Sequence, residues 1–495
     1  MRSKRFLPLA AVAALLVQGG CGDLLTETPR SIVTADNFYQ TGDDARAAVL
    51  ATYTPLGGNL LYGLNASSDD SFTSPLEENP ILTGMGTLHY DARNTQFSTY
   101  WNSMYDVITR ANAVIERVPG IAMPEASKAS IVGEAKFLRS FAYFYLVRLF
   151  GDVPLVRTAD EQLTNNARNP KAEVYAQIVK DAEEAEASLP ASWPSTDRGR
   201  ATKAAAQAHL AAAYVWLSSR ENANQWDKAA AAAKRVIDSN LYRLEANWLN
   251  AFLPGSQNSP ESIFLALACG ATGCPTITTS QWMYPREMES SGTGGFATQM
   301  PLPEFIATFP AGDYRAQTGA QVGLPGPNGV GYFTSGRRLN GQVVTFAPHI
   351  YKFRQTTKPG PADVNNPFIR YADVLLLYAE AVNELGRPAE AIGYVNMIRT
   401  RARGGATGAE NRPQPANLPE MSQAATREAI FQERRWELAH EGKRWFDLVR
   451  RGEGYFLASL AKDKYATGAD AKDMLWPIPQ AQIDINPSLA QNPGY

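Results

Sequence analysis

Apolar residues recur at steps of three and four along much of the chain. In "STYWNSMYDVITRANAVIERV", Trp101, Met104, Tyr105, Ile108, Ala111 and Ile115 share one stripe, as in an amphipathic helix. Glu125 to Phe150 reads as helix almost throughout and stops at Gly151 and Pro154 in "RLFGDVPLV". "NARNPKAEVYAQIVKDAEEAEASLP" is a further helix, entered through Pro170 and left at Pro190. "RATKAAAQAHLAAAYVWLSS" and "QWDKAAAAAKRVIDS" form a pair joined by a polar turn, their alanines allowing close backbone approach. "PFIRYADVLLLYAEAVNELG" and "PAEAIGYVNMIRTRARG" are two helices split by Gly386, Arg387 and Pro388. An earlier helix opens at Thr34 as N-cap and closes at Pro55. Residues 57–96 read as loops. Residues 241–365 are rich in Gly, Pro, Thr and Asn, and "GLPGPNGVGYFTSGRRLNG" within them holds at most one hairpin.

Two of the pairs are alike. Residues 201–239 and 369–403 each place a helix rich in small residues after a short turn, over nearly the tetratricopeptide period of about 34 residues. One pair cannot hide its apolar face alone, so stacked neighbours supply the core. The expected fold is therefore mainly α, a superhelix of tetratricopeptide-like helix pairs. It divides into a first scaffold part at 35–240, a loop-rich variable region at 241–365, and a C-terminal scaffold part at 366–495.

Composition narrows the function. With 44% hydrophobic residues in 495 there is material for a large core, and a net charge of −2 gives no support to a phosphate-rich partner such as nucleic acid. The N-terminus carries Arg2, Lys4 and Arg5, then the apolar run Phe6 to Val17, then Gly19, Gly20 and Cys21. This is a secretory signal at 1–20, too short to span a membrane. It resembles a bacterial lipoprotein signal with Cys21 as the lipid attachment site, although Gln18 stands where such signals carry an apolar residue. Residues 21–34 read as a tether. Export makes a disulfide between Cys269 and Cys274, in "ACGATGCPT", the expected state of those thiols.

"FQERRWELAHEGKRWFDLVRRG", from Phe431 to Gly452, crowds acids and bases among tryptophans. Glu433, Glu437 and Glu441 fall at steps of four, with Arg434, Arg435 and Arg444 within reach. Carboxylates beside arginine stay ionised, the wrong state for a general acid. "HEGKR" is not a zinc helix, because position 444 is Arg. The stretch is read as a structural ion-pair joint built on Glu433, Arg434, Glu437, Glu441 and Arg444. His89, His209, His349 and His440 are widely spaced, and the sequence shows no nucleophile–base pair, metal cluster or phosphate loop. No enzyme activity, metal or cofactor is expected, and "SDDS" lacks a calcium-loop pattern.

"ERRWELAHEGKRWFDLVRRG", "WPIPQAQIDINPSLAQNPGY", "RYADVLLLYAEAVNELG", "YWNSMYDVITRANAVIERV" and "FLRSFAYFYLVRLFGDVPLV" together resemble the RagB/SusD family of outer-membrane nutrient-binding lipoproteins, in order and spacing from Cys21 to Tyr495. The resemblance implies a helical scaffold under a variable loop-rich region. It also implies a lipid-anchored, surface-exposed place in the outer membrane, and capture of an oligosaccharide, or a peptide, for a SusC-like TonB-dependent transporter. It carries over no specific ligand contact. Sugars want aromatic rings beside polar groups, and three loop stretches offer that mix. They contain Asn65, Asp69, Asp70 and Phe72; Gln281, Trp282, Tyr284, Arg286 and Glu287; and Asp313, Tyr314 and Arg315. Asp69, Asp70, Phe72, Trp282, Tyr284, Arg286, Tyr314 and Arg315 are the ligand candidates. A tetratricopeptide-like peptide- or protein-binding surface lipoprotein is the alternative.

Overall fold

Thr41 is the N-cap of α1 (Gly42–Tyr53), the first helix among the described residues. Its hydroxyl accepts from the Asp44 amide at 3.2 Å, and the Asp44 carboxylate accepts from the Thr41 amide at 2.8 Å, a reciprocal cap. The computed structural model describes residues 38–495, apart from 58–59, 75–78, 162, 254, 268–281, 284–295, 297, 317, 322–331, 340–341, 351, 354–363, 406–407 and 409–410. Thr34, the lipid-attachment candidate Cys21, both disulfide candidates Cys269 and Cys274, and Gln281, Tyr284, Arg286 and Glu287 lie outside the described residues.

The segment 57–96 is not all loop. It holds α2 (Leu60–Ala66), β1 (Ser71–Thr73) and α3 (Pro80–Thr87). Every residue of α2 is buried, so neighbours on all sides, not an amphipathic stripe, hold this short helix. The strongly patterned helices follow as α4 (Thr95–Arg117), α5 (Glu125–Phe150), α6 (Lys171–Ser188), α7 (Lys203–Arg220) and α8 (Trp226–Asp238). From Ile131 onward α5 is buried on nearly all faces, as its continuous apolar sequence requires. It ends at Gly151, whose φ of +73° suits a residue without Cβ.

The variable region contributes β2 (Ser262–Ala266), β3 (Gln299–Pro301), the one-turn helix α9 (Pro303–Ile306), β4 (Thr318–Gln321), β5 (Tyr332–Leu339) and β6 (Gln342–Ile350). β5 and β6 form an antiparallel hairpin with β4 parallel to β5, so this region has more regular structure than its composition predicts. β1 pairs with β3, setting Phe72 opposite Met300. β7 (Asn366–Arg370) pairs with β2; the residues Pro367 to Arg370, expected to begin a helix, are strand instead. The C-terminal part adds α10 (Tyr371–Glu384), α11 (Pro388–Arg403), α12 (Gln423–Glu437), α13 (Arg444–Arg450), α14 (Glu453–Leu460) and α15 (Gln480–Ile485).

Consecutive long helices pack on one another from α4 to α8, and α10 packs on both α8 and α11. The pair before the variable region thus stacks on the pair after it, as tetratricopeptide-like units do. One continuous core runs through the molecule, with a smaller cluster under α1 where Ala45, Ala48 and Val49 meet Val114, Val118 and Ile131.

Candidate functional site

α12 and α13 lie where charges from distant elements converge. Arg315 donates to Glu433 at 2.7 Å and to Glu437 at 3.0 Å, and both its Nε and Nη2 face Asp313. Arg370, the last residue of β7, reaches Glu261 at 2.5 Å, Glu437 at 2.7 Å and Glu441 at 2.7 Å. Arg399 bonds Glu433 at 2.8 Å, and Arg401 joins Glu261 to Glu437. Lys352 donates to Glu441 at 2.5 Å and to the Glu437 and Ala439 carbonyls at the end of α12. Five carboxylates thus meet five cations, all of them buried. Burial would raise the Glu437 carboxyl, but Arg401, Arg370, Arg315 and Lys352 overcome it and hold the group well below the usual range. A carboxyl so held accepts hydrogen bonds and does not supply protons.

The glutamates are therefore paired, but by cations other than those nearest in sequence. Arg434 turns to Asp447 and Asp373, at 3.0 and 2.9 Å. Lys443 also meets Asp373, and Arg450 meets Asp447 and Glu380, closing a second network of three acids and three cations. Arg444 grips Asp69 through two bonds of 2.6 and 2.9 Å, and Arg435 holds Asp70 at 2.8 Å and Asp69 at 3.0 Å. Asn65 donates to the His440 carbonyl and accepts from the Gly442 amide, both at 2.8 Å.

These contacts correct several ligand candidates. Asp69 and Asp70 are buried anchors of the α2–β1 turn onto the joint. Phe72 is buried and stacks on Tyr465 at 4.3 Å. Tyr314 is buried, and Arg315 sits at the centre of the first network with no exposed surface. A polar loop residue has the same sequence signature whether it faces water or an arginine far along the chain, which is why the pattern misled.

Trp282 is placed differently. It is partly buried, with its ring 5.3 Å from Tyr62 of α2 and 5.3 Å from Phe296, which is 46% exposed. Tyr62 is itself buried, and its hydroxyl lies 3.2 Å from Thr73 of β1. A rigid floor thus carries an aromatic pair to the surface beside β1 and β3. Phe296 and Tyr62 were not singled out in the sequence: one sits in a Gly-rich run, the other in a segment read as loop. No helix among the described residues is long and apolar enough to cross a membrane.

Two family models match, one over residues 65–215, described as "Starch-binding associating with outer membrane", and the SusD/RagB model, described as "SusD family", over residues 307–495. Over these two spans the chain matches SusD-family models. A SusD-like protein of Formosa agariphila is 29% identical, with 98% of each chain covered. The starch-binding protein SusD of Bacteroides thetaiotaomicron is 25% identical over 79% of this chain and 77% of its own length. The crystal structure of a SusD homolog from the same bacterium shares the fold, with a TM-score of 0.80 at 22% identity, covering 93% of this chain and 98% of that one. Apart from Glu261, every member of the three ion-pair networks falls inside the two SusD-family spans, whereas Trp282 and Phe296 fall between them.

Proposed function

We propose that this chain captures an oligosaccharide at the cell surface and passes it to a SusC-like TonB-dependent transporter, without catalysing any reaction on it. The observation that carries this reading is the Trp282–Phe296 pair, held over Tyr62 and exposed at its outer edge. Aromatic faces suit the apolar C–H faces of sugar rings, and loops on a rigid scaffold are where recognition concentrates. The starch-binding relative and the description of the first family model support the same reading. Lipid on Cys21 anchors the protein in the outer membrane.

The test is calorimetric titration with a panel of oligosaccharides. Trp282→Ala and Phe296→Ala are each expected to weaken binding about tenfold, the effect of losing roughly 1.4 kcal/mol. Unchanged affinity in both variants removes the site. Pull-down from outer membranes through this chain tests the transporter, and recovery of no large β-barrel partner counts against delivery. Release of reducing sugar by the pure protein would overturn the non-catalytic reading.

One observation favours the peptide-binding alternative. An open groove of about 610 Å3 runs along α6 beside the α7–α8 turn, lined by Tyr175, Val179, Lys180, Glu183 and Lys228. Titration with peptide mixtures separates the two readings.

A further inference from the structure

All three ion-pair networks balance: five acids with five cations, three with three, and Asp69 and Asp70 with Arg435 and Arg444. Arg148 belongs to none of them. It lies near the end of α5 with 9% of its surface exposed. Every other buried arginine among the described residues has a carboxylate within ion-pair distance. Among the described residues, the one hydrogen bond from Arg148 runs from Nε to the Phe144 carbonyl of its own helix, at 2.8 Å. Its guanidinium is sandwiched between the rings of Phe144 and Phe446, each 3.7 Å away, with Trp216 5.6 Å away. The rings compensate part of the lost hydration, but they provide no acceptor for the two terminal nitrogens. Burial lowers the guanidinium to about 10, which still leaves it charged at neutral pH.

Beside Arg148 is a chamber of about 50 Å3, also lined by Trp216, Asp373, Arg434, Lys443 and Phe446. Both carboxylates of the adjoining network that face it, Asp373 and Asp447, are already held by Arg434, Lys443 and Arg450. The buried group of charges around the chamber therefore carries one positive charge in excess, and that charge is Arg148. The volume suits a small ion and excludes a sugar ring.

We infer that this chamber binds a monovalent inorganic anion of halide size, bonded by the terminal nitrogens of Arg148 and neutralising the excess charge where α5, α7 and α13 meet. The site is separate from the aromatic pair and independent of the proposed glycan function. An anion that binds only the folded chain raises its melting temperature in proportion to the logarithm of its concentration.

The test uses the mature chain. Crystals grown in sodium bromide should show an anomalous peak in the chamber within hydrogen-bonding distance of Arg148; an empty chamber, or one holding only water, overturns the inference. Melting in sodium bromide, compared with sodium gluconate at equal ionic strength, should rise by about 2–3 °C at a hundred times the dissociation constant. Arg148→Met, which keeps an unbranched chain between the two rings, should lose that difference. An equal bromide response in the variant sinks the idea. Should the variant fail to fold, the bromide crystals of the unmodified protein decide.

Discussion

His209 and Asp70 show how burial acts in opposite directions on a base and an acid. Burial, with the cations Arg148 and Lys443 nearby, pushes the His209 imidazole down to about 3; the ring stays neutral and shares a hydrogen bond with Ser140 at 2.9 Å. A histidine that protonates near 6.5 when unfolded and not when folded contributes stability above that pH and loses it as the pH falls, by about 1.4 kcal/mol per unit. Asp70 is the reverse. Burial raises it to about 6, against the pull of Arg435, while its neighbour Asp69, gripped by two bonds from Arg444, is lowered. Its contribution is fully present below about 3.8 and is lost as the pH rises through 6. Between pH 4 and 6 the two slopes oppose each other. Asp70→Asn should therefore steepen the loss of stability on acidification, and His209→Gln should flatten it. Urea midpoints measured at pH 4.5 and 6.5 check both signs, and a shift in the same direction for both variants refutes the assignment.

The joint between α12 and α13 depends on one backbone position. Gly442 has φ +70°, and a Cβ there would come within 2.9 Å of Leu61 Cδ2 and 3.3 Å of Leu64 Cδ1 on α2. Gly442→Ala adds left-handed strain to a steric clash and should cost about 1–3 kcal/mol, read as a lower urea midpoint with an unchanged slope. A neutral effect would mean that α2 gives way easily, contrary to its complete burial. The long helices were legible because a period of 3.6 is a local property that twenty residues state in full. The short elements α2, β1 and α3 were not, because what holds them is contact with partners distant in the chain. β7 was read as helix for the same reason. Its residues are apolar enough for either state, and pairing with β2 decides between them.

At the scale of the molecule, the C-terminal tail closes the structure. Trp476 is fully buried, with its ring 4.9 Å from Tyr100, 5.3 Å from Phe97 and 5.9 Å from Trp445, and its amide donates to the Leu149 carbonyl at 2.7 Å. Asn492 then donates to the carbonyls of Phe150 and Trp476. Trp476→Ala is expected to cost about 3–5 kcal/mol in denaturant unfolding, read as a lower urea midpoint.

The sequence by itself determined the helical class, the repeated pairs and the character of the stretch around Trp436 and Trp445 as a joint, since periodicity and charge density are written locally. Only the tertiary structure decided which charge meets which. Arg435 and Asp70 lie 365 residues apart, and Arg315 looked like a ligand contact until the fold set it against Glu433 and Glu437. The reason is physical. The sign of a charge is a property of one residue, but its energy depends on what surrounds it once water is removed, and that is settled only when the chain has packed.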